Sequence, residues 1–382
     1  MDNSRSLNPF SMLIREPLYW LLLALPMACV LRFVAPASLA LFIVSCIAII
    51  PLAGLMGRAT ENLAESVGEG LGGLLNATFG NAAELIIALF FLAAGPQMIP
   101  FVKASVTGSI IGNILLVLGL SLLLGGLRFR RQTFNRVAAG MGATLLVLAS
   151  AGLLVPSFYW NLIPEPAKAA GAVAVISDEI AAILAVVYLL SLVFALKTHR
   201  HLFLADHADE EWSHYEPEWS MRTSLVVLAL ATAGVALMSE FLVGSVEHAC
   251  ESLGMNRVFV GVIVVAVIGN AAEHSTAILV AMKNKMDLSL NIAIGSGLQV
   301  ALFVAPVLVL ASHLMGHQPA MDLHFTWMEV VAVTISVVLL TFVCQDGECH
   351  WMEGVLLLAL YVILGLAFYH MPAESAIQPG HH

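Results

Sequence analysis

The chain has 382 residues, 60% of them hydrophobic and 11% charged, and its mean hydropathy is +0.92. That composition leaves no room for a sizeable soluble domain and predicts an all-α polytopic membrane protein. The formal net charge of −10 argues against nucleic acid as a partner, and five scattered cysteines form neither a disulfide framework nor a zinc spacing.

In chain order, the first apolar run, from about Leu18 to Val34, follows Arg5 and Arg15 without a convincing cleavage site and reads as a retained helix. Apolar length and turn residues predict eleven transmembrane helices, centred near residues 26, 47, 83, 113, 146, 183, 233, 270, 300, 333 and 360. The hydrophilic stretch between the sixth and seventh carries Asp206, Asp209, Glu210, Glu211, Glu216 and Glu218, with His207 and His214. It reads as a solvated linker, with a weak regulatory cation site as the sharper alternative. The expected segments are 1–37 (N-terminal segment and first helix), 38–197 (first five-helix repeat), 198–220 (acidic linker), 221–370 (second five-helix repeat) and 371–382 (tail). The terminal His381 and His382 are set aside as a purification-tag remnant.

An odd number of spans per repeat turns the second copy upside down. With the N-terminus in the cytoplasm, twelve of the sixteen lysines and arginines fall in cytoplasmic loops, and only Arg32, Lys103, Lys168 and Arg257 fall outside. The acidic linker is then cytoplasmic and the C-terminus external.

Two copies of one phrase anchor the repeat: Gly80-Asn81-Ala82-Ala83-Glu84, and 189 residues later Gly269-Asn270-Ala271-Ala272-Glu273. Upstream, Glu61-x-x-x-Glu65-Ser66-Val67-Gly68 matches Glu247-x-x-x-Glu251-Ser252-Leu253-Gly254; downstream, Gly108-Ser109 matches Gly295-Ser296. Three landmarks in one order point to inverted repeats, whose facing helices build transporter sites near the midplane.

A carboxylate in hydrocarbon costs several kcal/mol unless it is paired, so Glu84 and Glu273 read as a site before they read as structure. On a continuous helix, Asn81 shares a face with Glu84, and Asn270 with Glu273. Carboxylate, amide and backbone oxygens suit a hard cation, and calcium accepts six to eight such ligands. Ser109 and Asn113, four apart, and Ser296 and Gln299, three apart, can point at the signature helices; each pair serves equally well as helix glue. Glu61 and Glu65, and Glu247 and Glu251, read as solvated helix ends, with a cation-gathering vestibule at each mouth as the alternative. His274 reads as a buried, hydrogen-bonded histidine; its titration range makes it a candidate proton-linked residue.

The two carboxylates suggest a mechanism. Ionised, they neutralise a dehydrated divalent cation; after its release, protons discharge them, and only the neutral forms reorient.

Gly72-Gly73-Leu74-Leu75-Asn76-Ala77-Thr78-Phe79 leading into Gly80–Glu84, and Gly269–His274 followed by Gly295-Ser296 and Gln299, resemble the two signatures of the calcium/proton antiporters of the calcium/cation antiporter superfamily. The resemblance runs from the second helix to the eleventh. It implies one extra N-terminal helix, two inverted five-helix halves, an acidic segment between them, and Glu84 and Glu273 as shared calcium and proton sites; His274 fits the pattern too. Gly112 departs from it, standing where a small polar residue precedes the Asn. The Gly-Thr-Ser-x-Pro-Glu form of the sodium/calcium exchangers occurs in neither half, which disfavours sodium coupling.

The expectation is therefore a secondary transporter exchanging Ca2+ for H+ by alternating access. Ca2+ is its substrate rather than a cofactor, H+ and the lipid bilayer are its partners, and a homo-oligomer is left open. Its expected place is a bacterial inner membrane. Rival readings are the same architecture serving Mn2+, Na+ or K+, a channel, or an intramembrane enzyme using Glu273 and His274; no His-Glu-x-x-His motif or serine elbow supports the last.

Overall fold

The structure, a computed structural model, describes residues 16–67, 72, 74–75, 78–199, 202 and 219–372. Most of the acidic linker, the C-terminal tail and part of the first signature's lead-in lie outside them. Among the described residues the main helices are α1 Pro17–Val34, α2 Leu39–Val67, α3 Ala82–Ala93, α4 Pro96–Arg128, α5 Arg136–Leu162, α6 Pro166–Thr198, α7 Met221–Leu253, α8 Arg257–Gly269, α9 Ala271–Ala281, α10 Met286–Leu314, α11 Trp327–Val343 and α12 Trp351–Tyr369. Among the described residues, eight are long and apolar enough to cross a membrane, or nine spans if the bent pair α8 and α9 counts as one; α3 and α11 are shorter apolar helices. Local signals set the starts. Asn135 caps α5 by accepting from the N–H groups of Val137 and Ala138, Asn256 caps α8 through Phe259, and Thr326 with Glu329 forms a capping box on α11.

The chain divides into two compact units, and neither coincides with one half of the repeat. The first comprises Met1–Phe90, Leu204–Leu253 and Ile268–Ala272. Its frame is α2 packed antiparallel on α7. The backbone N–H of Trp219, just ahead of α7, donates to Asn62 Oδ1 near the end of α2 at 3.0 Å. Midway along, Gly234 lies against Leu52, where a Cβ would come within 2.9 Å of a leucine methyl. Arg58 pairs with Glu16 at 2.8 Å and lies over the ring of Tyr19, tying α1 to the same end.

The second unit comprises Phe91–Phe203, Gly254–Val267 and Glu273–His382, and its helices weave between two ends. At one end a short antiparallel ribbon, β1 Gln132–Thr133 and β2 Glu348–Cys349, joins the turns after α4 and α11. Gln132 donates to the carbonyl of Ala281 (2.9 Å) and to Asn284 (3.1 Å), and the backbone N–H of Asn135 donates to Asp287. At the opposite end, hydroxyls of Ser157, Ser177 and Ser312 accept from the backbone of Phe325, Leu323 and Met321, pinning the segment between α10 and α11. The basic residues sort with these ends. Arg128, Arg130, Arg131, Arg136, Lys283 and Lys285 lie near the first, and Lys103 and Arg257 near the second.

The second end holds a buried polar network. Lys103 donates to Asp322 and to the His324 carbonyl (2.7 Å), and Glu329, 3% exposed, accepts from Thr326 N–H (3.0 Å), Thr326 Oγ1 (2.8 Å) and Thr107 Oγ1 (3.2 Å). Three donors make that buried carboxylate tolerable. The His324 ring stacks on Trp160 at 4.8 Å. Burial, then the Lys103 charge, holds its imidazole down at about 4, with Asp322 pulling the other way. In the unfolded chain it titrates near 6.5, so on acidification the unfolded state takes up a proton first. The stability contributed by the neutral ring is complete above about pH 6.5 and is lost between about 6.5 and 4. The melting temperature is expected to drop between pH 7 and 4.5, and His324→Phe to flatten that drop; identical slopes for both proteins would contradict the assignment.

Candidate functional site

Each signature glutamate stands in the first turn of a helix that begins just after the signature asparagine: Glu84 in α3 and Glu273 in α9. The helices do not run through the signature, as periodicity alone predicts. At the second copy α8 stops at Gly269, α9 starts at Ala271, and their axes bend by 63°. At the first, residues 80 and 81 form a turn, and the Asn81 carbonyl accepts from Leu85 N–H to open α3. Glycine followed by asparagine weakens a helix interior, and a first-turn carboxylate meets the positive end of the helix dipole, worth about 0.3–1 kcal/mol.

The Asn270 side chain, 2% exposed, donates through Nδ2 to Glu84 Oε1, the carboxylate of the other signature, within the first unit. Gly269 makes room, since a Cβ there would lie 3.2 Å from Glu84 Cγ. Asn81 is buried, and Glu84 is half-buried.

In the second unit, the helices that follow the two signatures meet through matched residues. Asn113 of α4 donates to Ser296 Oγ of α10 at 2.9 Å, with both side chains buried. Ser109 is buried as well, and Gln299 is half-buried. Periodicity alone missed what comes next on each helix. Gly112–Val117 in α4 and Val300–Val304 in α10 are π-helical turns, closed by Leu118 N–H on Asn113 O and Ala305 N–H on Val300 O. Two more, Phe194–Thr198 and Val260–Val265, lie in α6 and α8. Such one-residue insertions favour functional sites, and here two occupy equivalent places in the two halves. No residue type in those stretches announces them.

Close backbone approach sets the position of α4. A Cβ on Gly108 would strike the carbonyl of Val262 and lie 2.6 Å from its Cα, while one on Gly261 would meet the Ala104 side chain at 2.5 Å. The α4–α8 crossing is thus reciprocal, with Gly108 against the Val262 backbone and Gly261 against the Ala104 methyl. The equivalent Gly295 has nothing within 4 Å of the same position.

Glu273 is half-buried on α9 in the second unit, and its neighbour His274 is 8% exposed, with Nε2 lacking a hydrogen-bond partner among the described residues. That amends the expectation of a hydrogen-bonded histidine at this nitrogen. Glu61 and Glu65 are exposed near the end of α2, and Glu247 and Glu251 are exposed near the end of α7. Because the two helices are antiparallel, the pairs sit at opposite ends of the first unit, about 40 Å apart along α7.

The model of the family described as "Sodium/calcium exchanger protein" matches residues 37–197 and 223–369. The chain belongs to that family. It is an integral membrane transporter, not an enzyme. Among relatives, the Ca(2+)/H(+) antiporter of Aphanothece halophytica is 45% identical over 94% of this chain and 98% of its own. The Ca(2+)/H(+) antiporter ChaA of Bacillus subtilis is 44% identical over 87% of this chain and 92% of its own. Among solved structures, the Ca2+/H+ antiporter protein YfkE superposes with a TM-score of 0.77 at 39% identity, covering 93% of this chain and 99% of that one. These relatives group the exchanger with the calcium/proton antiporters, the family its twin signatures resemble.

Proposed function

We propose that this exchanger moves Ca2+ against H+ by alternating access, with Glu84 and Glu273 alternately binding the cation and protons. The observation that carries the reading is the bond from Asn270 to Glu84, through which one signature orients the carboxylate of the other. The glutamates stand at equivalent first-turn positions, and the relatives' names specify calcium and protons. Asn81, Asn270, Ser109, Asn113, Ser296 and Gln299 add neutral oxygens of the type calcium accepts, or hold the helices that do. His274, its Nε2 without a protein partner among the described residues, is a station for the proton, and the exposed pairs Glu61/Glu65 and Glu247/Glu251 gather cations at the two mouths.

Ionised, the glutamates neutralise a dehydrated divalent cation. Protonated, they are neutral without it, and the empty doubly charged form is too costly in low dielectric to reorient, which enforces exchange over leak. The pair titrates as a coupled unit. Counting α3 and α11 as spans and α8 with α9 as one gives eleven, read as one helix plus two inverted sets of five. The loop charges favour a cytoplasmic N-terminus and an external C-terminus, and the bacterial antiporters among the relatives suit a bacterial inner membrane.

The test is reconstitution of the full chain in vesicles carrying a proton gradient and a trapped pH dye. Calcium should dissipate the gradient, while sodium, potassium and manganese at equal concentration should do so weakly. Dissipation by another cation but not by calcium would overturn the assignment.

A further inference from the structure

The second unit contains a lateral crevice of about 430 Å³, with Gln299 of the supporting set among its lining residues. Its walls are the first turns of α5, the last turns of α6 and the middle of α10, and it runs about 12 Å along the three helices. Small residues hollow it out. Ala138, Ala139 and Gly142 line one side and Gly295 another, where no heavy atom lies within 4 Å of an added Cβ. The outer wall is lipid-facing, since Leu189 and Leu190 of α6 are 60% and 61% exposed.

The charges at one end of the crevice have a definite sign. Asn135 gathers the ends of all three helices there, donating through its side chain to the Leu202 carbonyl at 2.9 Å and through its backbone to Asp287. Arg136 precedes the α5 lining by two residues, Lys197 follows the α6 lining by two, and both are exposed. Lys283 and Lys285 stand exposed in the turn before α10, and Asp287, the acidic group beside them, is engaged by the Asn135 N–H. An apolar slot open to the bilayer and rimmed by cations at one end matches an amphiphile with an anionic head and a hydrocarbon tail.

We propose that this crevice binds an anionic phospholipid, with an acyl chain along α5, α6 and α10 and the headgroup phosphate at Arg136 and Lys197. Native mass spectrometry of the delipidated full chain, titrated with dioleoyl phosphatidylglycerol or dioleoyl phosphatidylcholine, tests it. The native chain should retain the anionic phosphatidylglycerol preferentially. Replacing both Arg136 and Lys197 by glutamine should cut that preference about thirtyfold, since each basic residue near an anionic leaflet contributes a factor of about five. Ala195→Trp, filling the crevice, should remove the bound lipid of either kind while the circular dichroism stays native. Equal retention of the two lipids by the native chain overturns the proposal, as does detergent binding of equal strength or unchanged retention in a folded Ala195→Trp protein. If that variant does not fold, the charge pair decides alone.

Discussion

Glu84→Gln and Glu273→Gln are each expected to reduce calcium-driven dissipation of a proton gradient to the level of protein-free vesicles, with thermal stability close to native. Glutamine keeps the shape and one acceptor oxygen but removes the charge that, in the proposed mechanism, balances a divalent ion and takes up the proton that replaces it. The proposed mechanism makes the effect all-or-none, because in it the carboxylates act as a coupled pair: one remaining charge neither neutralises calcium nor restores a neutral empty carrier. At Glu84 the amide can also turn its own N–H groups toward Asn270 Nδ2, breaking the bond that orients it. Proton-coupled calcium flux surviving in either variant would refute the mechanism, whereas loss of flux together with loss of the folded protein would mark the glutamate as structural.

Gly108→Val is expected to lower stability by about 3 kcal/mol or more, seen as loss of monodisperse protein and a large drop in melting temperature in detergent. The obstacle at Gly108 is the Val262 backbone, which cannot rotate away. Gly295→Ala, at the equivalent place in the other half, should be neutral or stabilising by up to about 1 kcal/mol, because it meets open space and alanine is the better helix former. Comparable losses for both would show that the two halves pack these glycines alike, against the reciprocal crossing of α4 and α8.

The signature residues were legible from the chain alone for a physical reason. Charge and amide groups are expensive in an apolar run, so Glu84, Glu273, Asn81 and Asn270 stand out wherever they occur, and their repetition in one frame marks related halves. The approximate places of the helices followed from apolar length. The same logic could not see the breaks at residues 80–81 and 269–271, because glycine and asparagine lower helix stability without forbidding a continuous helix, and tertiary contacts decide. Nor could it see the π-helical turns in α4 and α10, whose residues are ordinary for a span.

What the sequence by itself determined is the inventory: a helical membrane chain, a doubled phrase and two costly carboxylates in matching frames. Tertiary structure alone decided the partners. Asn270 reaches Glu84 of the other signature, Asn113 reaches Ser296, and Gly108 is fixed by a backbone 154 residues away while Gly295 meets open space. Period and composition govern which face of a helix is polar; which neighbour meets that face depends on bends and crossings set by packing across long sequence separations.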